Sequence, residues 1–394
     1  MNNSANHTPR RRLVQATGAI ASLALIAAAC GSDDEAAAPA DAEVAPVAAA
    51  ADEPAEAPAE EAPAEEPAAA PAEEAPAEEP AAAPAEEAER PADWPTSLSF
   101  GAVPAENASS LEADFATTKA ILEDELQLDE IEFFQATDYA GVIEGIIANR
   151  IDVAQFGGFS YVIATSNGAD ISVAGVMTEG PDIEPGYRSY ALTQADNDEI
   201  NSIEDFAGKN ICFVDPGSTS GFLFPSEGLL AAGIDPSETS TDINPTFAGG
   251  HDAAAISVAN GDCDGGFAYD SMVTTQLIDN GDISGVIDTL EDETVNEAEA
   301  ELKIVWKSQT ISGAPMAISN ALPADFIAAY QEVVTTKVNA DWAIANGYCS
   351  GTLEENDCAF ADEADTWGFV AKDDSFYDGI RQVCEITGAS KCES

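Results

Sequence analysis

Positive charge is scarce in this chain: 14 Lys and Arg stand against 73 Asp and Glu, leaving a formal net charge of −59 over 394 residues. That excess repels nucleic acid, anionic membrane surfaces and other polyanions, so none of them is an expected partner. Histidine is nearly missing, with two in the chain, and the seven cysteines include no C-x-x-C pair. Zinc spacing is thereby excluded, and neither a metal site nor a cofactor is expected. Aromatic residues are absent from 31 to 93, a stretch of Ala, Pro and Glu in which AEEAPAEEPAAAP occurs twice in succession between residues 59 and 84. Such a composition does not bury enough apolar surface to offset ordering entropy, so residues 30–93 read as an extended, self-repelling tether. Beyond residue 29 no apolar run approaches the roughly 18 residues that a spanning helix needs.

What is present divides the chain in three. Residues 1–29 hold three Arg and no acid, with Arg10, Arg11 and Arg12 preceding an apolar run that ends in small residues before Cys30. This reads as a secretory signal. Ile26-Ala27-Ala28-Ala29-Cys30 resembles the bacterial lipobox, with Ala27 where that pattern prefers Leu, and implies lipidation at Cys30. The expected location is extracytoplasmic, anchored by lipid to the outer face of the membrane. Residues 94–394 keep 53 acids against 10 bases and are long enough for two lobes of ordinary size.

Six cysteines remain in that segment: Cys212, Cys263, Cys349, Cys358, Cys384 and Cys392. An even number in an exported domain predicts disulfides, with fifteen pairings open. Pairs 349 with 358 and 384 with 392 would close short polar loops, and 212 with 263 would join two apolar strand-like runs.

Short apolar runs at 98–103, 131–135, 153–156, 189–193, 210–214, 246–248 and 265–269 alternate with helical patterns at 111–126, 139–148, 220–232 and 252–260. This rhythm predicts an α/β fold of two lobes with mainly parallel sheets, whose ligands sit beyond the carboxyl ends of strands. The first lobe is expected over about 94–187 and 300–394, and the second over about 188–299. The longest helix is expected at 323–346, with the last third packing on the first lobe.

Three segments carry candidate chemistry. In VDPGSTSGF at 214–222 a buried-type strand ends in Pro-Gly, and Ser218, Thr219 and Ser220 fall on the first helical turn. Three hydroxyls and free backbone N–H groups there suit a tetrahedral oxyanion. The stretch 217–221 is similar to a G-x-S-x-G nucleophile elbow, but its central residue is Thr219. In FAGGHDAA at 247–254, His251 follows two glycines at a helix start and presents its ring to the same crevice, while Asp252 is expected to cap the helix. In ATDYAGV at 136–142, Tyr139 stands at a helix start in the opposite lobe.

Together ATDYAGVIEG at 136–145, DPGSTSGFLFP at 215–225, AGGHDAAAISVANGDCD at 248–264 and VWKS at 305–308 resemble the phosphonate, phosphite and phosphate-binding proteins of ABC importers, which have a type II periplasmic-binding fold. The resemblance implies that Ser218, Thr219, Ser220 and His251 grip the phosphonyl oxygens and that Tyr139 adds a hydroxyl from the facing lobe. It also implies an ABC permease as partner, a monomer, and no enzymatic activity. Where members that bind aminoalkyl phosphonates have Gly-Asp-Pro after the VWKS-like strand, this chain has Gly313-Ala314-Pro315. Phe156 stands where such members place a Tyr. Asp270 remains as one carboxylate, and the pocket is expected to favour phosphite or a small alkylphosphonate. A receptor for a signalling partner would leave the same trace; the other alternative, a hydrolase using Thr219 or a neighbouring Ser with His251 as base, lacks an elbow and an orienting third group.

Overall fold

The computed structural model describes residues 90–392 except 107–108, 238, 291–293, 296–298, 354 and 364–365. All belong to one compact unit, Ala83–Ser394. The signal segment, Cys30 and the tether up to residue 89 lie outside the described residues. No helix among those described is long and apolar enough to cross a membrane.

Among the described residues fifteen strands follow in chain order: β1 Ser97–Ala102, β2 Glu130–Phe134, β3 Val153–Gln155, β4 Ile171–Thr178, β5 Gly186–Tyr187, β6 Ser189–Gln194, β7 Asn210–Phe213, β8 Asn244–Phe247, β9 Gly265–Tyr269, β10 Val286–Asp288, β11 Thr294–Val295, β12 Leu302–Lys307, β13 Ile311–Ser312, β14 Pro315–Ser319 and β15 Gly368–Val370. The first lobe has the order β15-β4-β14-β3-β1-β2, and the second has β11-β10-β12-β6-β9-β7-β8. The two share a plan. In each, three parallel strands (β2-β1-β3, β8-β7-β9) are followed by an antiparallel strand that has just arrived from the other half of the chain, β14 in one and β6 in the other. Helices pack on both sheets, which gives the expected two-lobed α/β periplasmic-binding fold.

The chain leaves the first lobe after Tyr187 and returns through β13, which pairs antiparallel with β5, Ile311 opposite Tyr187. Because β12 pairs with β6 in the second sheet, that lobe extends through Lys307 rather than ending near 299. The predicted helix at 323–346 is two helices, Ala324–Thr336 and Ala340–Asn346, since the Asn339 side chain accepts Trp342 N–H and starts a new N-terminus. The first of these packs on the first lobe, where Gln331 Nε2 donates to Val173 O. The C-terminal helix Asp378–Thr387 departs from expectation: it packs against Gly158–Ser166 of the first lobe and Phe224–Ala231 of the second. Tyr161 O–H donates to Asp374 Oδ1 at 2.8 Å just ahead of it.

Disulfides join Cys212 with Cys263, Cys349 with Cys358 and Cys384 with Cys392. The first ties β7, which leads into the hydroxyl-rich turn, to the segment entering β9.

Candidate functional site: a hydroxyl-lined cleft between the lobes

Parallel pairing brings two distant turns together. β7 and β8 run in register, Phe213 opposite Phe247, and the ladder continues with Ala248 N–H to Phe213 O and Gly249 N–H to Val214 O, both at 2.8 Å. The turns after their carboxyl ends therefore lie side by side, and Ser218 Oγ comes to 3.3 Å from His251 Nε2.

The first turn is shaped by its own residues. Asp215 Oδ1 accepts Gly217 N–H at 2.6 Å. Ser218 caps the following turn by accepting Gly221 N–H at 3.0 Å. Pro225 has no N–H to give Gly221 O, which instead accepts Val214 N–H at 3.2 Å. The turn Thr219–Leu223 is correspondingly a π-helix, with Leu223 N–H reaching Ser218 O. Gly221 is required here, because a Cβ would stand 2.3 Å from Val214 Cβ. The outcome is three consecutive hydroxyl residues, all buried, turned toward the first lobe.

That lobe meets them closely. Thr219 Oγ1 accepts Phe159 N–H at 2.9 Å, so a hydroxyl of the second lobe caps the first-lobe helix Gly158–Ser166. Ser160 Oγ donates to Gly217 O at 2.9 Å. Gly157 leaves room for this approach; a Cβ would lie 3.0 Å from Thr219 Oγ1. His251 N–H donates to Ala105 O at 2.8 Å. The cleft is thus closed.

One narrow cavity is lined by six of the seven predicted residues: Tyr139, Phe156, Ser218, Thr219, Ser220 and His251. Asp138 Oδ1 caps the helix Tyr139–Ile147 by accepting Gly141 N–H at 2.8 Å, which sets Tyr139 at its start, against Ser218. Asp270 is placed elsewhere. Its Oδ2 accepts Arg188 N–H at 2.9 Å where the chain crosses between lobes, and it lines an adjoining pocket with Glu179 and Glu363. Asp252 does not cap its helix; Gly250 holds that position without a side-chain bond.

Gln155, Tyr187, Tyr269, Asp362 and Glu363 also line the cavity and were not anticipated. Gln155 left a trace, a polar residue inside an otherwise apolar strand. Asp362 and Glu363 left none, because they arrive on the long connection after the last first-lobe helix. Among the described residues no Lys or Arg lines the cavity.

Burial governs the electrostatics. It lowers the His251 pKa to about 3, so the ring is neutral, and raises the hydroxyls of Tyr139 and Tyr187 above the usual phenol range. Burial, then the neighbouring Asp362, raises Glu106 to about 8; burial raises Asp362 to about 7 and Asp270 to about 6. Glu106 touches the Tyr269 hydroxyl, whose oxygen is also 2.6 Å from Gln276 Oε1. Gln276 Nε2 donates to Asp362 O, which fixes Oε1 as the end facing Tyr269. One phenolic proton does not serve two acceptors, so a protonated Glu106 completes the chain, in agreement with its raised pKa.

The family model described as "ABC transporter, phosphonate, periplasmic substrate-binding protein" matches residues 100–377. The chain belongs to this family of extracytoplasmic substrate-binding proteins of ABC importers. It is 42% identical over 304 residues to the phosphate-import protein PhnD of Mycolicibacterium smegmatis, covering 76% of this chain and 88% of that protein. It is 31% identical over 224 residues to the phosphonates-binding periplasmic protein of Escherichia coli, covering 56% and 60%. Among solved structures it is similar in fold to PhnD1 of Prochlorococcus marinus in complex with methylphosphonate, with a TM-score of 0.60 at 19% identity, covering 75% of this chain and 99% of that one. These relatives are binding proteins of transporters. Membership places this phosphonate-family protein as the substrate-binding component of a phosphonate or phosphate importer.

Proposed function

We propose that this protein captures a small phosphorus oxyanion, a phosphonate, phosphite or phosphate, by closing its two lobes, and delivers it to a membrane permease. The observation that carries this reading is the convergence of Ser218, Thr219, Ser220, Tyr139, Tyr187 and neutral His251 on one cavity without a lining cation. Neutral donors at hydrogen-bond distance act locally, whereas surface carboxylates are screened beyond roughly 8 Å at physiological salt, so a very acidic chain still holds an anion. Ser218, Thr219, Ser220 and His251 would hold the phosphonyl oxygens, with Tyr139 contributing from the first lobe. Phe156 and Ala314 give the wall an apolar part that suits hydrogen or methyl on phosphorus. Lipidation at Cys30, the 30–93 tether and a monomeric state complete the proposal: one lipid-held binding domain reaching a permease.

A non-enzymatic role is supported by the Ser218–His251 pair itself. The Ser218 oxygen is committed to Gly221 N–H, no carboxylate orients His251 Nδ1, and a ring with pKa about 3 is a weak base. A second ligand is favoured by the adjoining pocket, which shares Tyr187, Ala314 and Glu363 with the first and adds Glu179 and Asp270. Those carboxyls would suit the ammonium of an aminoalkyl phosphonate.

Calorimetric titration of the full chain with phosphite, methylphosphonate, phosphate and 2-aminoethylphosphonate tests both ligands. Tight binding of one, lost in Ser218→Ala and His251→Ala, is expected. Silence toward all four sinks the capture mechanism, and markedly tighter binding of 2-aminoethylphosphonate replaces the small-substituent ligand by the cationic one.

A further inference from the structure

Among the described residues, two buried side-chain polar atoms make no hydrogen bond: Gln155 Oε1 and His251 Nδ1. Both residues are 3% exposed, and both line the same cavity. An orphaned buried polar group is costly, because it has given up water and gained no partner. Two in one cavity point to a ligand that satisfies both.

Gln155 Nε2 donates to Met177 Sδ at 2.9 Å, which leaves the amide oxygen, an acceptor only. Ser218 Oγ accepts Gly221 N–H and meets His251 Nε2 at 3.3 Å, a contact in which either atom can be the donor, so His251 Nδ1 is a donor in one tautomer and an acceptor in the other. A partly protonated oxyanion answers the amide oxygen with its hydroxyl and either tautomer of the ring with an accepting oxygen or that hydroxyl.

Charge leads to the same place. Tyr139, Tyr187, Tyr269, His251, Asp362 and Glu363 are the titratable groups lining the cavity, with Glu106 behind Tyr269, Asp215 near Tyr139, and Glu179 and Asp270 in the adjoining pocket. None is cationic at neutral pH. A dianion there would face carboxyl groups without compensation, whereas a monoanion carrying one proton brings less charge and supplies the missing donor.

We propose that the cleft selects the singly protonated monoanion of its phosphorus oxyanion, with Gln155 Oε1 accepting the P–OH proton and thereby distinguishing a phosphonate from a sulfonate of the same shape. Sulfonates carry no such proton in the physiological range. The inference rests on the phosphorus-oxyanion reading of the cleft and adds to it a residue and a protonation state. It also assigns a role to a side chain that the hydroxyl wall does not need.

The test compares methylphosphonate with methanesulfonate on the full chain by calorimetry from pH 5.5 to 8.5. At pH 6 methylphosphonate is expected to bind at least about 100-fold more tightly, since sites built to bond a substrate hydroxyl strongly reject analogues lacking it. That ratio should fall as the ligand's second proton leaves, near pH 6 for phosphoryl esters and somewhat higher for an alkylphosphonate. Any pH trend common to both ligands belongs to the protein's carboxyl groups and cancels in the ratio. In Gln155→Met the ratio at pH 6 should shrink to about tenfold or less. If that variant loses its near-UV circular dichroism, the wild-type pH series decides alone. Equal affinity for the two ligands, a ratio constant from pH 5.5 to 8.5, or unchanged discrimination in folded Gln155→Met would each overturn the proposal. Silence toward methylphosphonate, phosphite and phosphate together would remove the underlying oxyanion reading, a distinct outcome.

Discussion

The second-lobe wall of the cleft is made from residues 218–220 and 251, two turns at the ends of neighbouring strands, and it offers mainly hydrogen-bond donors. The facing wall is made from Ala105, Tyr139, Gln155, Phe156, Ala314, Asp362 and Glu363, gathered from five separate places along the chain, and it offers apolar surface and acceptors. A donor wall alone would bind any small anion, sulfate and chloride included. In the proposed mechanism, selectivity therefore comes from the wall assembled at long range, and affinity from the wall assembled locally.

The largest expected effect breaks the donor wall. Ser218→Ala removes the cap on Gly221 N–H, the partner of His251 Nε2 and a ligand donor at once. A loss of about 100-fold or more in affinity is expected by calorimetry, as a hydrogen bond to a charged group contributes about 1.5–3 kcal/mol and the orphaned neighbours add to it. Unchanged affinity would exclude this wall as the anion site. Next comes the disulfide beneath that wall. Replacing Cys212 and Cys263 by Ser opens a loop with a sequence separation of 51 and should lower unfolding free energy by about 4 kcal/mol, against about 2.6 kcal/mol for Cys384 with Cys392. Denaturant midpoints of the two double variants check the order.

Thr219→Val tests the seam between the walls. It deletes the acceptor for Phe159 N–H across the cleft, so a weaker closed state and roughly tenfold lower affinity are expected, with the radius of gyration in saturating ligand shifted toward that of the free protein. The smallest effect belongs to the acidic wall. Glu106, Asp270 and Asp362 have pKa values raised by burial to about 8, 6 and 7, so between about pH 4 and 8 the folded chain holds protons that the unfolded chain releases. Stability is then greatest on the acid side of this window and falls as pH rises through it. A melting temperature lower by on the order of 2–4 °C at pH 8 than at pH 5.5 is expected, and Glu106→Gln should flatten part of that slope. A melting temperature that rises over this interval would contradict the protonated state of the wall.

How far the site was legible follows the same division. Ser218, Thr219, Ser220 and His251 stood out because the chemistry and the structure that positions it are adjacent in sequence: a Pro-Gly turn, three hydroxyls, a helix start. Tyr139 was a weaker signal, a Tyr at a helix start, and Phe156 was reached only through the family resemblance; both line the cavity. Asp270 was misplaced, because its position beside Tyr269 does not reveal that its carboxylate is taken up by Arg188 N–H at the crossing between lobes. The lobe boundary near 300 missed for a related reason. β12 is an apolar run like its neighbours, and only its pairing with β6 assigns it to the second sheet.

Alternating strand and helix patterns, the even cysteine set and the hydroxyl turn determined the fold class, the predicted disulfide chemistry and the hydroxyl residues of the cavity wall from sequence by itself, because each rests on interactions within a few residues or on composition. The tertiary structure alone decided which cysteines pair, that the C-terminal helix packs on both lobes, and that Gln155, Asp362 and Glu363 face Ser218 to Ser220. Those outcomes depend on strand order and on where a long connection comes to rest, and no local spacing encodes either.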